Sequence, residues 1–153
     1  MATQDDIPTA TSQLSNDSGF ISSESDATAM AHLRTTLTAT AANTFAAGSV
    51  GFISSAGTVT LADASAEATA SNMLVIATAS ISGGASGIFA LSGLVTATSH
   101  GYTLGVPLFL SETAGALTTT APTTTAAIVR VVGYAVDANT IYLRDDSTYV
   151  EVL

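Results

Sequence analysis

The chain of 153 residues has no cysteine, no tryptophan and no lysine, and its three basic residues are Arg34, Arg130 and Arg144. Each absence removes a class of explanation. Without cysteine there is neither a disulfide framework nor a thiolate metal site. Twelve acids against three arginines give a formal net charge of −9, the wrong sign for neutralising nucleic-acid phosphates. Aromatics are scarce too, at four tyrosines and five phenylalanines, so small side chains must fill much of any core. Apolar burial stabilises by roughly 25 cal/mol per Å², and alanine buries little, so composition leans towards oligomerisation. The apolar runs, such as 73–77, are too short to span a bilayer. The opening MATQDDIPTA lacks the basic and apolar parts of a secretory leader. A soluble protein is expected, one that stays where it is made or travels within a larger particle.

What is present is mostly strand and turn. From about Phe45 the apolar pattern has a period of two. It predicts strands at 49–54, 58–62, 72–79, 87–91, 94–97, 107–111, 116–119, 128–137, 140–144 and 149–153. Turn formers separate them: Ala56-Gly57, Ser82-Gly83-Gly84, Ser92-Gly93, Ala114-Gly115, Asp137-Ala138-Asn139 and Asp145-Asp146-Ser147. Many short strands with such punctuation predict an all-β chain, a compact β-barrel or sandwich. The last strand is expected to close the barrel or an intersubunit sheet, and its truncation to unfold the domain.

The two parts of this region share a plan. GSVGFISSAGTVTLADA (48–64) and GVPLFLSETAGALTTTAP (105–122) each run glycine, apolar strand, Ala-Gly turn, second strand. A further pair of strands follows each, which suggests an internal duplication. Ahead of it, residues 1–44 read as an extended N-terminal arm, and 45–153 as the barrel. The arm is polar, with isolated apolar residues at Ile7, Leu14, Phe20 and Ile21 as candidate partner contacts. One short helix is expected within 24–42, capped by Ser25 or Asp26 and carrying Met30, Leu33, Arg34 and Leu37. The alternating threonines after Arg34 favour a strand instead.

Residues able to do chemistry are few. His32 and His100 are far apart and outside any metal-ligand motif. The Ser82–Gly87 stretch lacks the lysine of a phosphate loop, so a hairpin turn is expected. Asp145, Asp146 and Glu151 offer hard oxygens but not the spacing of a calcium loop. Arg130 interrupts IVRVVGY, so it points away from the core or pairs with an acid across an interface. Arg144 adjoins two acids and suits a local or intersubunit ion pair. Both are candidate interface residues. Tyr102, Tyr134, Tyr142 and Tyr149 are candidate large core positions. No catalytic residue, cofactor or metal is assigned, and no nucleic-acid or membrane partner is expected.

Several of these segments carry a resemblance. IPTATSQLSNDSGFISS (7–23) resembles segments near the starts of tailed-phage fibre and fibre-like virion proteins. The stretch from PLFLSETAGALTTTAP to VRVVGYAVDANTIYLRDDSTYVEV resembles the C-terminal part of small phage virion proteins. GSVGFISSAGTVTLADAS is similar to the β-rich capsid-decoration, or cement, proteins of such phages. The resemblance implies a non-enzymatic decoration protein on the outer capsid surface, commonly trimeric. It would bind the major capsid protein through its arm. The alternatives are a short tail-fibre or head-fibre protein, or a glycan-binding module, which the lack of tryptophan disfavours.

Overall fold

The computed structural model describes residues 34–153. The arm candidates Ile7, Leu14, Phe20 and Ile21, and residues 24–33 of the expected helix, lie outside the described residues. The described chain is all-β apart from one short helix. Its strands are β1 (Arg34–Ala41), β2 (Val50–Ser55), β3 (Thr58–Leu61), β4 (Leu74–Ala77), β5 (Ser86–Thr96), β6 (Pro107–Leu110), β7 (Leu117–Thr118), β8 (Ile128–Asp137), β9 (Thr140–Leu143) and β10 (Tyr149–Glu151). The helix α1 is Glu67–Ala70, between β3 and β4.

The boundary expected at 44/45 moves back to Arg34, because β1 belongs to the barrel. Residues 34–41 (RTTLTATA) form a strand where a helix was one expectation. Their threonines are β-branched, stiff in a helix and well suited to a pleated surface. The alternation also turns Leu37, Ala39 and Ala41 to one side, against a buried cluster. β1 pairs antiparallel with β5 from Arg34↔Gly93 to Thr40↔Ser86, and parallel with β3 at Thr40↔Thr58 and Ala41↔Val59. These two ladders close β1-β3-β2-β4-β5 into a five-stranded barrel.

So few strands leave a narrow interior, and the filling is correspondingly economical. Ala39, Ala41 and Ala77 supply small inward groups, while Phe45 and Phe89 occupy the middle. Their rings meet edge to face, with centroids 5.2 Å apart and planes at 81°, an arrangement the ring quadrupoles favour. Gly51 makes room for them: a Cβ there would lie 2.9 Å from Phe45 and 2.6 Å from Val59. The alanine-rich composition therefore reflects a tight barrel.

The expected duplication is present in the topology. The sheet path after β1 runs β3-β2-β4-β5 and then β9-β8-β6-β7. Each half is the same hairpin, third strand and fourth strand, and the halves join through their last members. The registers agree at equivalent pairs, apart from one bulge on β8, where Leu108 pairs Gly133 and Phe109 pairs Val131. In the first half, Val50 pairs Ile76, which pairs Ala90, which pairs Thr36. In the second, Pro107 pairs Tyr134, which pairs Tyr142, which pairs Leu94. The neighbouring rows, Phe52↔Leu74 and Phe109↔Val131, correspond likewise.

β5 serves both halves, and the expected break at Ser92-Gly93 is a bend within one continuous strand. Gly93 sits at φ 97°, a conformation that costs glycine little. Before the bend Phe89 and Leu91 face the barrel interior; beyond it Val95 and Ala97 face a second core between the halves. That second core covers the outer row of the barrel: Val50, Phe52, Leu74, Ile76 and Ala90 pack against Leu108, Leu110, Leu117, Val132 and Ile141.

Two other expectations are corrected. The final strand does not close the barrel: β10 pairs only with the start of β8, at Tyr149↔Arg130, Val150↔Val129 and Glu151↔Ile128, and its side chains are exposed. The tyrosines are not core residues. Tyr102 is half-buried against the second core, and Tyr142 and Tyr149 are exposed. Aliphatic and alanine side chains fill those inward positions instead.

Removing Tyr149–Leu153 is therefore expected to lower stability in urea denaturation while a folded β spectrum persists in circular dichroism. Gly133→Ala should be far more damaging. Its Cβ would lie 2.0 Å from the Tyr142 carbonyl oxygen, and backbone on a paired strand has nowhere to retreat. Overpacking of this kind costs about 1–3 kcal/mol or more, read as a lower urea midpoint.

Candidate functional site

The most constrained polar group in the described chain is Arg130. It alternates with outward-facing Val129 and Val131 on β8, so its side chain points inward, where it is 0% exposed. Its guanidinium forks onto Asp145: Nε donates to Oδ1 at 3.0 Å and Nη2 to Oδ2 at 2.6 Å. Nη1 donates to the carbonyl oxygens of Ala70 and of Asn72, the latter at 2.7 Å. Those carbonyls end α1 and the turn after it, so Arg130 supplies the cation that the last turn of the helix lacks.

Asp145 is equally engaged. Besides the arginine, its oxygens accept the backbone N–H of Ser147 at 3.2 Å and of Leu74 at 3.4 Å. A buried ion pair compensates its desolvation only when the remaining hydrogen-bonding capacity is met, and here most of it is. The interface role expected of Arg130 is thus corrected: the pair lies within one chain and ties β8 and the loop after β9 to α1 and β4. Arg144, the other interface candidate, is exposed, and its neighbour Asp145 is taken by Arg130.

His100 lies in a shallow cleft of about 300 Å³, lined among others by Gly48, Ser49, Ala97, Tyr102, Gly115 and Ile141. Both imidazole nitrogens are used by the backbone. Nδ1 accepts the N–H of Tyr102 at 3.0 Å, which leaves Nε2 to donate to the Asp137 carbonyl at 2.7 Å. The ring stacks on Tyr102 with centroids 4.9 Å apart. This geometry fixes one tautomer and staples the β5–β6 connection to the β8–β9 turn. Burial pushes the Tyr102 phenol above its ordinary range.

The remaining candidates are turns. In the Ser82–Gly87 loop, Gly84 N–H donates to Ala41 at 2.7 Å, Ala85 N–H to Ser82 at 3.0 Å, and Gly83 N–H to the Thr44 hydroxyl at 3.3 Å. Donors that could cradle a phosphate are already satisfied. Asp146 accepts the Thr148 N–H at 2.9 Å, and Asp137 is held below the usual carboxylate range, first by the Asn139 N–H at 2.7 Å. Tyr149 donates to Glu67 at 2.8 Å, which raises its phenol pKa. Among the described residues no group of three or more metal-ligating side chains converges, and no helix is long and apolar enough to cross a membrane.

Sequence reasoning missed the Arg130–Asp145 pair. The available signal was an arginine at an inward position of an apolar strand, with the next cluster of acids immediately after the following strand. No family model, no curated protein and no solved structure matches the chain.

Replacing Arg130 with methionine leaves Asp145 buried without its cation, and breaking such a pair costs about 3–5 kcal/mol. The double replacement Arg130→Met with Asp145→Leu is expected to cost less than the sum of the single changes, as measured by a double-mutant cycle in urea.

Proposed function

We propose that this chain is a non-enzymatic structural protein of a tailed-phage particle, a decoration protein that binds the outer shell and stabilises it. The reading rests on the sequence resemblance in residues 7–23, 48–65 and 107–152 and on the all-β architecture. The observation that carries it is how the described chain uses its chemistry-bearing groups. His100, Arg130 and Asp145 spend their hydrogen-bonding capacity on tying elements of the fold together. Residues 1–33 precede a barrel that closes with β1, and they supply the anchoring segment, with the major capsid protein as its partner. A segment that binds as an added strand takes up the open sheet edge of a neighbour. A ligand that binds only the intact shell stabilises it by mass action, and three copies joined as a trimer would multiply that attachment.

The test is disruption of matched particles with and without the protein, by heat or osmotic shock. Decorated shells should survive to a higher temperature; equal survival rejects the reading. Deleting residues 1–23 should abolish attachment while circular dichroism shows an unchanged β-fold. Labelling confined to the tail or to one vertex would assign the chain to a fibre instead.

A further inference from the structure

The second half carries an apolar face that no described residue covers, and it lies where the chain enters the fold. Leu94, Tyr142, Tyr134 and Pro107 form a row of directly paired residues across β5, β9, β8 and β6, with Phe109 and Val131 beside it. Paired residues share a face of a sheet, so the six side chains make one continuous surface. Tyr142 is 41% exposed, and the other five are partly exposed. β1 runs antiparallel to β5, and its first residue, Arg34, pairs with Gly93. The residue before Arg34 therefore arrives beside Leu94, the first member of the row. Beyond Gly93, β9 takes one edge of β5 and no described strand takes the other, so no described strand separates the start of β1 from the face.

We propose that the occupant of this face is residues 24–33 of the same chain, ESDATAMAHL. Tethering selects them first. No linker separates residue 33 from β1, so the segment is held at an effective concentration on the order of millimolar, far above that of a second copy in a micromolar solution. Reach permits it. The four strands of the row span about 14 Å at the usual strand spacing, which ~5 extended residues cover, and the segment has twice that length. Chemistry fits as well. The segment brings Met30, Leu33 and three alanines to an apolar row, and Glu24 and Asp26 with neither lysine nor arginine. At the margin of the face stands Arg144, whose N–H prolongs the β9 ladder to the Val132 carbonyl. Two positions beyond Tyr142, its exposed side chain lies on the same side of the sheet. It is a cation for those two acids on a chain of net charge −9. Residues 1–23 thus set out from the face of the second half, not from the end of β1. The inference does not rest on the decoration reading, because it concerns contacts within one chain.

The test is a photo-crosslinking phenylalanine derivative at position 142 of the full chain, irradiated at low micromolar concentration with no other protein present. Adducts should form within one chain and map to residues 24–33, with a yield that dilution leaves unchanged. The same group at position 88, an apolar site 49% exposed on the first half, should give none to that segment. In the full chain, Met30→Glu combined with Leu33→Glu should lower the yield from position 142 roughly tenfold, since a carboxylate laid on an apolar face must be desolvated. Arg144→Glu, at an exposed side chain, should lower it as well, and circular dichroism checks that both variants are folded. Adducts that join two copies, adducts that map only to residues 1–23, or none to residues 24–33 overturn the proposal. So does a yield that neither variant lowers. If the adducts form as expected and the protein still fails to protect shells, the decoration reading falls and this inference stands.

Discussion

One strand has to complete the hydrogen bonding of two half-molecules, and the rest of the architecture follows from how it does so. β5 keeps β1 along one edge as far as Gly93, while along the other edge β4 gives way to β9. A straight strand would carry the barrel interior onward. The bend at Gly93 instead swings the following side chains out of the barrel and into the core between the repeats. That single change of direction lets the second half lie across the outside of the first.

The few charged residues act in support of that arrangement. Arg130 and Asp145 belong to the second half, yet the guanidinium takes the carbonyls that end α1, and the carboxylate takes the N–H that begins β4. His100 similarly joins the segment after β5 to the turn between β8 and β9. The apolar contact between repeats is broad but non-directional. The hydrogen bonds from Arg130 Nη1 to the Ala70 and Asn72 carbonyls, and from the Leu74 N–H to Asp145, add the direction, and the ion pair holds both groups in place to make them.

Much of this was legible in the sequence. Period-two alternation and Ala-Gly or Asx-rich turns located nine of the ten strands closely, because a strand with one buried face must alternate. The repeat was visible in the shared plan of 48–64 and 105–122. Four things were legible in part or not at all. The alternating threonines after Arg34 favoured a strand over the competing helix, but the place of β1 in the barrel is set by partners distant in sequence. The Ser92-Gly93 pair is turn chemistry whose bend sits inside a ladder, and only the flanking pairings reveal that. Inward Arg130 violates the apolar pattern and is tolerated because Asp145, Ala70 and Asn72 meet it, a fact of tertiary structure. Finally, the tyrosines were read by size. All four lie beyond the five barrel strands, where Leu108, Leu110, Val132 and Ile141 take the inward positions, while the barrel's own large buried rings are Phe45 and Phe89.

The covered row of the first half has a consequence for how the molecule is made. A ribosome releases the N-terminal half first, and the five strands of the barrel are complete once β5 has emerged. At that moment Val50, Phe52, Leu74, Ile76 and Ala90 form a finished surface with nothing upon it. The strands that will cover them, and the arginine that will lock the cover in place, are still being synthesised. For that interval the nascent chain carries two claims on the same surface, its own unborn half and the finished halves of its neighbours. The covering half is tethered to β5 on the same chain, at a higher effective concentration than any neighbour's, which favours the former and guards against swapping between copies.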